Sequence, residues 1–223
     1  MAFANEWELT YKNNSHVSIW PWSDVVTLTK NYCATILNKK NVRVLEFGCG
    51  AGANIPFFKS LSLDYYGIDG SETMISNLKK TFPMYEKNLF CLDFTKPILN
   101  NKKFDIIIDR SSLTHNTDKA IRDTIINIID LMSSEAIYIG IDWFGKKHNQ
   151  FNHGEKDNDE HTKKNYFKGQ FSGIGSVHFT DETNIKEIFA EFDILLLQEK
   201  ILKTIYPDDS NIIATYNIVA QKK

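Results

Sequence analysis

A chain of 223 residues, 42% hydrophobic and 24% charged, is long enough for one domain with a substantial core. Its formal net charge of −2 gives no electrostatic case for a nucleic-acid partner or an anionic membrane surface. The three cysteines (Cys33, Cys49 and Cys91) are odd in number and lack metal or redox spacing, which argues against a disulfide framework. No apolar run approaches membrane-spanning length, and the start, M-A-F-A-N-E-W-E, has no apolar leader region. A single domain over 1–223, without membrane insertion and cytoplasmic, is therefore expected.

In chain order, residues 1–40 combine an aromatic segment with a helix. Trp7, Tyr11, His16, Trp20, Pro21 and Trp22 are dense enough in aromatic rings to form a lid, with Tyr11 and Trp22 as its contacts; plain core packing of the same rings is the alternative. Val25, Leu28, Tyr32, Cys33, Ile36 and Leu37 make one helix face, with Ser23 as its cap. Residues 42–54, V-R-V-L-E-F-G-C-G-A-G-A-N, then join an apolar strand, an acid and three alternating glycines to the next helix. A second strand covers 64–69. Ser71 caps a helix lined by Met74, Ile75, Leu78 and Phe82, and an apolar run at 89–93 ends on Asp93. Residues 104–109, F-D-I-I-I-D, are nearly all apolar, as in a strand buried on both faces. Ile121, Ile125, Ile128, Ile129 and Met132 recur at helical spacing from a start at Asn116 or Thr117, and 135–142 read as a fifth strand. A helix with Ile185, Ile188, Phe189 and Phe192 precedes strands at 194–206 and 211–221. A turn at Pro207, Asp208 and Asp209 joins these two as an antiparallel hairpin. The strand–helix alternation predicts an α/β fold: a seven-stranded sheet, mostly parallel with a C-terminal antiparallel hairpin, and helices on both faces.

The chemistry is concentrated in 42–54. Gly48, Gly50 and Gly52 allow a sharp turn with room for a ligand on the backbone, and the following helix start offers N–H groups to a polar ligand. With Ala53 the pattern also fits G-x-G-x-x-A, so an NAD(P)-dependent oxidoreductase stays open on glycines alone. Glu46, two residues before the first glycine, is placed to face a ligand. Asp69 at the second strand's end suits ribose hydroxyls, and Asp93 with Phe94 suits an adenine held by stacking and a hydrogen bond to its amino group.

Four segments in register (E-F-G-C-G-A-G, G-I-D-G-S, C-L-D-F and F-D-I-I-I-D-R) resemble the successive motifs of class I S-adenosylmethionine-dependent methyltransferases over 42–143. The resemblance implies a Rossmann-like fold and S-adenosyl-L-methionine as cofactor, with S-adenosyl-L-homocysteine as product. It implies a cofactor site on Glu46, Gly48, Cys49, Gly50, Asn54, Asp69, Gly70, Asp93 and Phe94, with Tyr11 and Trp22 from the lid. Asp109 and Arg110 follow the fourth strand, where the family meets the methionine part of the cofactor and begins the acceptor site. Asp109 would bind the cofactor's amino group and Arg110 an acidic acceptor, or the two would merely order the loop. D-R-S-S stands where amino-methylating enzymes of nucleic acid often carry an N-P-P-Y-like tetrapeptide, which argues for a small-molecule acceptor.

Residues 144–180 are long, polar and rich in histidine (His148, His153, His161 and His178), and are expected to form an acceptor-binding insertion. Their spacing matches no metal-ligand pattern, so no metal is expected. His115, His178 and Asp142 are candidate bases for a hydroxyl acceptor; an anionic acceptor would instead need the cation of Arg110. His178 reads equally as a core histidine. D-R-S-S-L-T-H-N and G-Q-F-S-G-I-G-S-V-H-F resemble segments of small bacterial methyltransferases encoded with surface-polysaccharide genes. That implies O-methylation of a sugar, a nucleotide-sugar or a phosphoryl or phosphoramidate precursor of a capsule. A non-catalytic cofactor-binding partner subunit is a third reading, and no feature indicates the oligomeric state.

Overall fold

The computed structural model describes residues 5–12, 18–99, 102–207 and 211–223. His16, Asp208 and Asp209 lie outside them. The elements in chain order are α1 (Asn5–Lys12), α2 (Ser23–Tyr32), α3 (Ala34–Leu37), β1 (Arg43–Phe47), α4 (Ile55–Ser60), β2 (Asp64–Asp69), α5 (Glu72–Thr81), β3 (Leu89–Cys91) and β4 (Phe104–Arg110). They continue with α6 (Asp118–Leu131), β5 (Met132–Phe144), β6 (Glu155–Lys156), β7 (Thr162–Lys164), β8 (Val177–His178), α7 (Glu182–Ile188), β9 (Phe192–Lys203) and β10 (Ile212–Lys222). The main sheet has seven strands in the order β3-β2-β1-β4-β5-β10-β9. From β3 to β5 the neighbours are parallel; β10 runs antiparallel to both β5 and β9. This is the expected sheet, hairpin included.

Local chemistry explains most boundaries. Ser71 caps α5 by accepting from the Met74 N–H, and Thr117 caps α6 by accepting from the Ala120 N–H. The first long helix differs from expectation. It breaks at Cys33 into α2 and α3, and Ser23 is its first helical residue, the cap position falling on Trp22 with no side-chain bond. The third strand stops at Cys91, two residues before Asp93, and Phe192 opens β9 instead of closing the preceding helix.

Alternation along the buried strands divides the core into two layers. Leu45, Phe47, Ile107 and Tyr138 pack beneath α6 and α7 through Ile121, Ile125, Ile185 and Phe189. Val44, Ile106, Ile108 and Ile139 face the opposite layer, with Val25 and Leu28 of α2, Phe58 of α4 and Leu78 of α5. Each of these side chains is nearly or fully buried, worth about 1.5–3 kcal/mol apiece in area removed from water. Residues 144–180 make their own small unit. β6, β7 and β8 form a three-stranded antiparallel sheet over a cluster of Phe144, Tyr166, Phe171, Val177 and Phe179.

The strand order reverses between β1 and β4, the switch point at which ligands bind in open α/β sheets. Phe47 pairs with Ile68 and with Asp109, so the loops leaving β1, β2 and β4 emerge side by side.

Candidate active site

Beyond the carboxyl ends of these strands lies a cavity of about 910 Å³, a size suited to a nucleoside-type ligand with a small second molecule. At one end it is lined by the glycine loop, Asp69, Asp93 and Phe94. At the other it is lined by Arg110, His115, Asp142 and Lys200, with Phe144 and Phe171 from the insertion.

The glycine loop is shaped by its neighbours. Gly48 has φ +64°, and a Cβ there would stand 2.0 Å from the Ser112 Oγ. That hydroxyl donates to the Phe47 carbonyl at 2.9 Å, stitching the loop after β4 onto the loop after β1. Gly50, at φ +50°, donates its N–H to an Asp69 carboxylate oxygen at 2.9 Å, and a Cβ on it would project to 3.5 Å from the Tyr11 hydroxyl. The missing side chain therefore leaves room between the loop and α1 for a ligand to lie on the backbone. The other Asp69 oxygen accepts from the Ser71 N–H at 2.8 Å. Burial pushes the Asp69 pKa up, and these backbone donors partly oppose it.

Glu46 is almost wholly buried. One oxygen accepts from Asn54 Nδ2 and the other from the Tyr65 hydroxyl, each at 2.7 Å. Burial raises its pKa to about 7, with these two donors opposing the rise. The Asn54 side-chain oxygen in turn accepts from the Trp22 N–H at 3.2 Å, so Glu46 orders the loop and the entry to α2 as well as lining the cavity. Asp93 accepts from the Thr95 N–H and hydroxyl at 3.1 and 2.6 Å, and Phe94 stands edge-on to Phe47 with centroids 5.7 Å apart. Cys49 and Gly70 also line this end.

Helix α1 covers the cavity. Glu8 accepts hydroxyl hydrogen bonds from Ser71 and Thr73 at the start of α5, while Trp7 and Tyr11 line the cavity with ring centroids 5.6 Å apart. Trp7 meets the His115 ring edge-to-face at 4.9 Å, and Phe144 and Phe171 lie 5.7 and 6.4 Å from the same imidazole.

At the far end, the Arg110 Nε and one Nη donate to one Asp142 oxygen at 3.2 and 3.1 Å, and the guanidinium carbon lies 3.7 Å from the Trp22 ring centroid. Lys200 donates to the other Asp142 oxygen at 2.8 Å and pairs with Asp24. Asp142 reaches this position through a bulge: Gly140 pairs with Ile218 but Trp143 with Tyr216, so β5 carries one extra residue opposite Asn217. Asp142 takes φ +55° there and donates its N–H to the Asn217 side-chain oxygen at 3.2 Å.

Two expected site residues are placed elsewhere. Asp109 does not line the cavity. It points into the α6/α7 layer, where its carboxylate accepts from the Ser112 and Leu113 N–H groups (3.0 Å each), Trp143 Nε1 (2.7 Å) and the Tyr138 hydroxyl (3.3 Å). Alternation along β4 sends Asp109 to that face and Arg110 to the cavity face. Burial pushes the Asp109 pKa up to about 6. His178 is fully buried away from the cavity. Its Nε2 lies 3.1 Å from the Asn184 side-chain oxygen, its ring stacks on His161 at 5.4 Å, and burial pushes its pKa down to about 4. Among the described residues no group of three His, Cys, Asp or Glu is placed to hold a metal ion.

Lys200 and Asp24 line the cavity without having been singled out in the sequence, whereas Trp7, which also lines it, belongs to the expected aromatic lid. Lys200 shares a face with Gln198 and Leu202 on β9. The polar stretch Q-E-K in a terminal hairpin carries no motif that marks such a lysine as part of a site.

Residues 45–138 match the family model described as a methyltransferase domain. No curated protein sequence matches the chain. Among solved structures, a S-adenosylmethionine-dependent methyltransferase of Anabaena variabilis is similar with a TM-score of 0.66 at 14% identity, covering 100% of this chain and 94% of its own. One from Methanosarcina mazei gives a TM-score of 0.64 at 17% identity, covering 86% and 97%. The 1,6-didemethyltoxoflavin-N1-methyltransferase of Burkholderia thailandensis, solved with 1,6-didemethyltoxoflavin and S-adenosylhomocysteine bound, gives 0.62 at 15%, covering 98% and 86%. The chain thus has the class I S-adenosylmethionine-dependent methyltransferase fold, and residues 45–138 within it match the methyltransferase-domain model.

Proposed function

We propose that this S-adenosylmethionine-dependent methyltransferase methylates an oxygen atom of a small polar acceptor. The observation that carries the reading is one continuous cavity lined both by the glycine loop and by Arg110, His115 and Asp142. In this reading Gly48 and Gly50 pass beneath the methionine and ribose, Asp69 holds the ribose hydroxyls, and Asp93 with Phe94 holds the adenine. The bound cofactor supplies a methyl group already activated on a sulfonium, so the chain's own work is orientation and the exclusion of water. Trp7 and Tyr11, fixed over the cavity through Glu8, exclude the water.

An acceptor hydroxyl needs a proton acceptor as its oxygen attacks. His115 takes that part: it lines the cavity among aromatic rings. Asp142 is held between Arg110 and Lys200, with both carboxylate oxygens already engaged, which makes it a positioning group. The sequence resemblance selects a sugar, a nucleotide-sugar or a phosphoryl or phosphoramidate precursor of a surface polysaccharide as the first acceptors to assay. The Burkholderia neighbour, with a small heterocycle bound, supports a small-molecule acceptor in general. Methyl-labelled S-adenosylmethionine incubated with fractionated small-molecule extracts tests the proposal. Label is expected in a methyl ether or ester, with His115→Asn slowing transfer by about 10²–10⁴-fold. Label found on nitrogen, or transfer indifferent to His115, would contradict it.

A further inference from the structure

The acceptor end of the cavity holds four charges that satisfy one another. Arg110 is bound to Asp142 through two nitrogens at 3.1 and 3.2 Å; Lys200 bridges Asp142 at 2.8 Å and Asp24; Asp24 also accepts from Asn217 Nδ2 at 3.0 Å. These residues come from four separate elements, β4, β5, β9 and α2. All four line the cavity, with side chains between 19% and 31% exposed. Two cations and two carboxylates leave this end with no net charge.

We infer that the chain Arg110–Asp142–Lys200–Asp24 selects an uncharged, hydroxyl-bearing acceptor and rejects its phosphorylated or carboxylated counterpart, with Asp142 and Asp24 as the residues that set this preference. The inference rests on the methyltransferase reading of the site. An anion brought to Arg110 or Lys200 meets an Asp142 or Asp24 carboxylate at hydrogen-bond distance from the same cation, and like charges so placed cost several-fold or more in affinity. A hydroxyl is both donor and acceptor. It donates a hydrogen bond to a carboxylate and accepts one from the neighbouring guanidinium or ammonium, so a pair of hydroxyls matches the alternating cluster without breaking an ion pair. The Trp22 ring beneath Arg110 and the Phe144 and Phe171 rings nearby add apolar faces of the kind on which the C–H face of a sugar ring packs. Among the acceptors named above, this favours a sugar hydroxyl over a phosphoryl-type oxygen.

The strain in the chain agrees with a built device. Asp142 and Ser111 both have positive φ, +55° and +52°, and the Ser111 hydroxyl donates to the Asp142 carbonyl at 3.0 Å. Non-glycine residues hold such angles where the surroundings over-determine them, and here the result is a carboxylate set between two cations.

Inorganic phosphate is the probe for the test, titrated at low ionic strength into the full chain saturated with S-adenosylhomocysteine. The wild type is expected to show weak or no saturable phosphate binding. Asp142→Asn, whose side chain tolerates a positive φ, and Asp24→Asn are each expected to bind phosphate at least about tenfold more tightly, and Lys200→Met should abolish the gain. Wild-type binding as tight as that of Asp142→Asn, and lost in Arg110→Gln, would overturn the inference by showing an anion site. So would equal phosphate affinity across all variants. Retained S-adenosylhomocysteine binding certifies that each variant is folded. Its absence in the wild type would instead refute the underlying methyltransferase reading, so the two failures are distinguishable.

Discussion

Gly48→Ala is the sharpest probe of how the site is assembled. The new methyl would stand 2.0 Å from the Ser112 Oγ and 2.5 Å from its Cβ, at a backbone angle of +64°. The left-handed conformation costs an alanine roughly 1–2 kcal/mol, and forcing a methyl into an occupied place costs about 1–3 kcal/mol more. The sum, about 2–5 kcal/mol, would lower the thermal midpoint of a chain this size by roughly 5–15 °C. Ser112→Gly alone loses the hydroxyl bond to the Phe47 carbonyl, at about 0.5–1.5 kcal/mol. The double variant should relieve the steric share but not the backbone share, giving a coupling of about 1–3 kcal/mol in a urea-unfolding cycle. Wild-type stability in Gly48→Ala, or strict additivity in the double variant, would refute the packing of the β4 loop on the glycine turn.

Three further outcomes follow from the same geometry. Asp69→Ala should weaken S-adenosylhomocysteine binding by about tenfold to several hundredfold, the loss of one or two charge-assisted bonds; unchanged affinity in a calorimetric titration would remove Asp69 from the ribose site. Glu8→Ala should release α1 and raise KM for the methyl donor more than it lowers kcat, whereas an effect on kcat alone would detach the helix from cofactor retention. Glu46 is an acid whose pKa is raised by folding, from 4.5 to about 7. Its contribution to stability is complete below pH 4.5, where it is protonated in both states, and is lost as pH rises through 7. Glu46→Gln should therefore gain on the wild type between pH 5 and 8 by about 2 kcal/mol, order of magnitude. A difference independent of pH would mean that Glu46 is not desolvated as described.

The fold was legible because its signals are local and redundant. Apolar runs at 64–69 and 104–109, the caps Ser71 and Thr117 and the terminal hairpin each demand the element found, and together they leave few topologies. The cofactor end was legible for a related reason: Gly48, Gly50, Asp69 and Asp93 follow strand ends, where the sheet must present them. The acceptor end was less so. Whether Asp109 or Arg110 faces the cavity depends on one step of strand alternation, and a reading of strand ends does not apply that rule. Asp142 is re-aimed by a bulge that exists only relative to Asn217, on a neighbouring strand 75 positions away in sequence. Lys200 reaches Asp24 across 176 positions of sequence. His178 had the glycine-hinged apolar setting of a buried residue, and burial beside His161 and Asn184 is the setting the structure gives it.

Calorimetric titration with S-adenosylhomocysteine and, separately, with NAD(H) decides which cofactor the glycine turn holds. We expect saturable binding of S-adenosylhomocysteine on the order of micromolar, one molecule per chain, weakened by Asp69→Ala, and no binding of NAD(H). Binding of NAD(H) with none of S-adenosylhomocysteine would contradict the assignment of the glycine turn between Glu46 and Asn54 to a methyl donor.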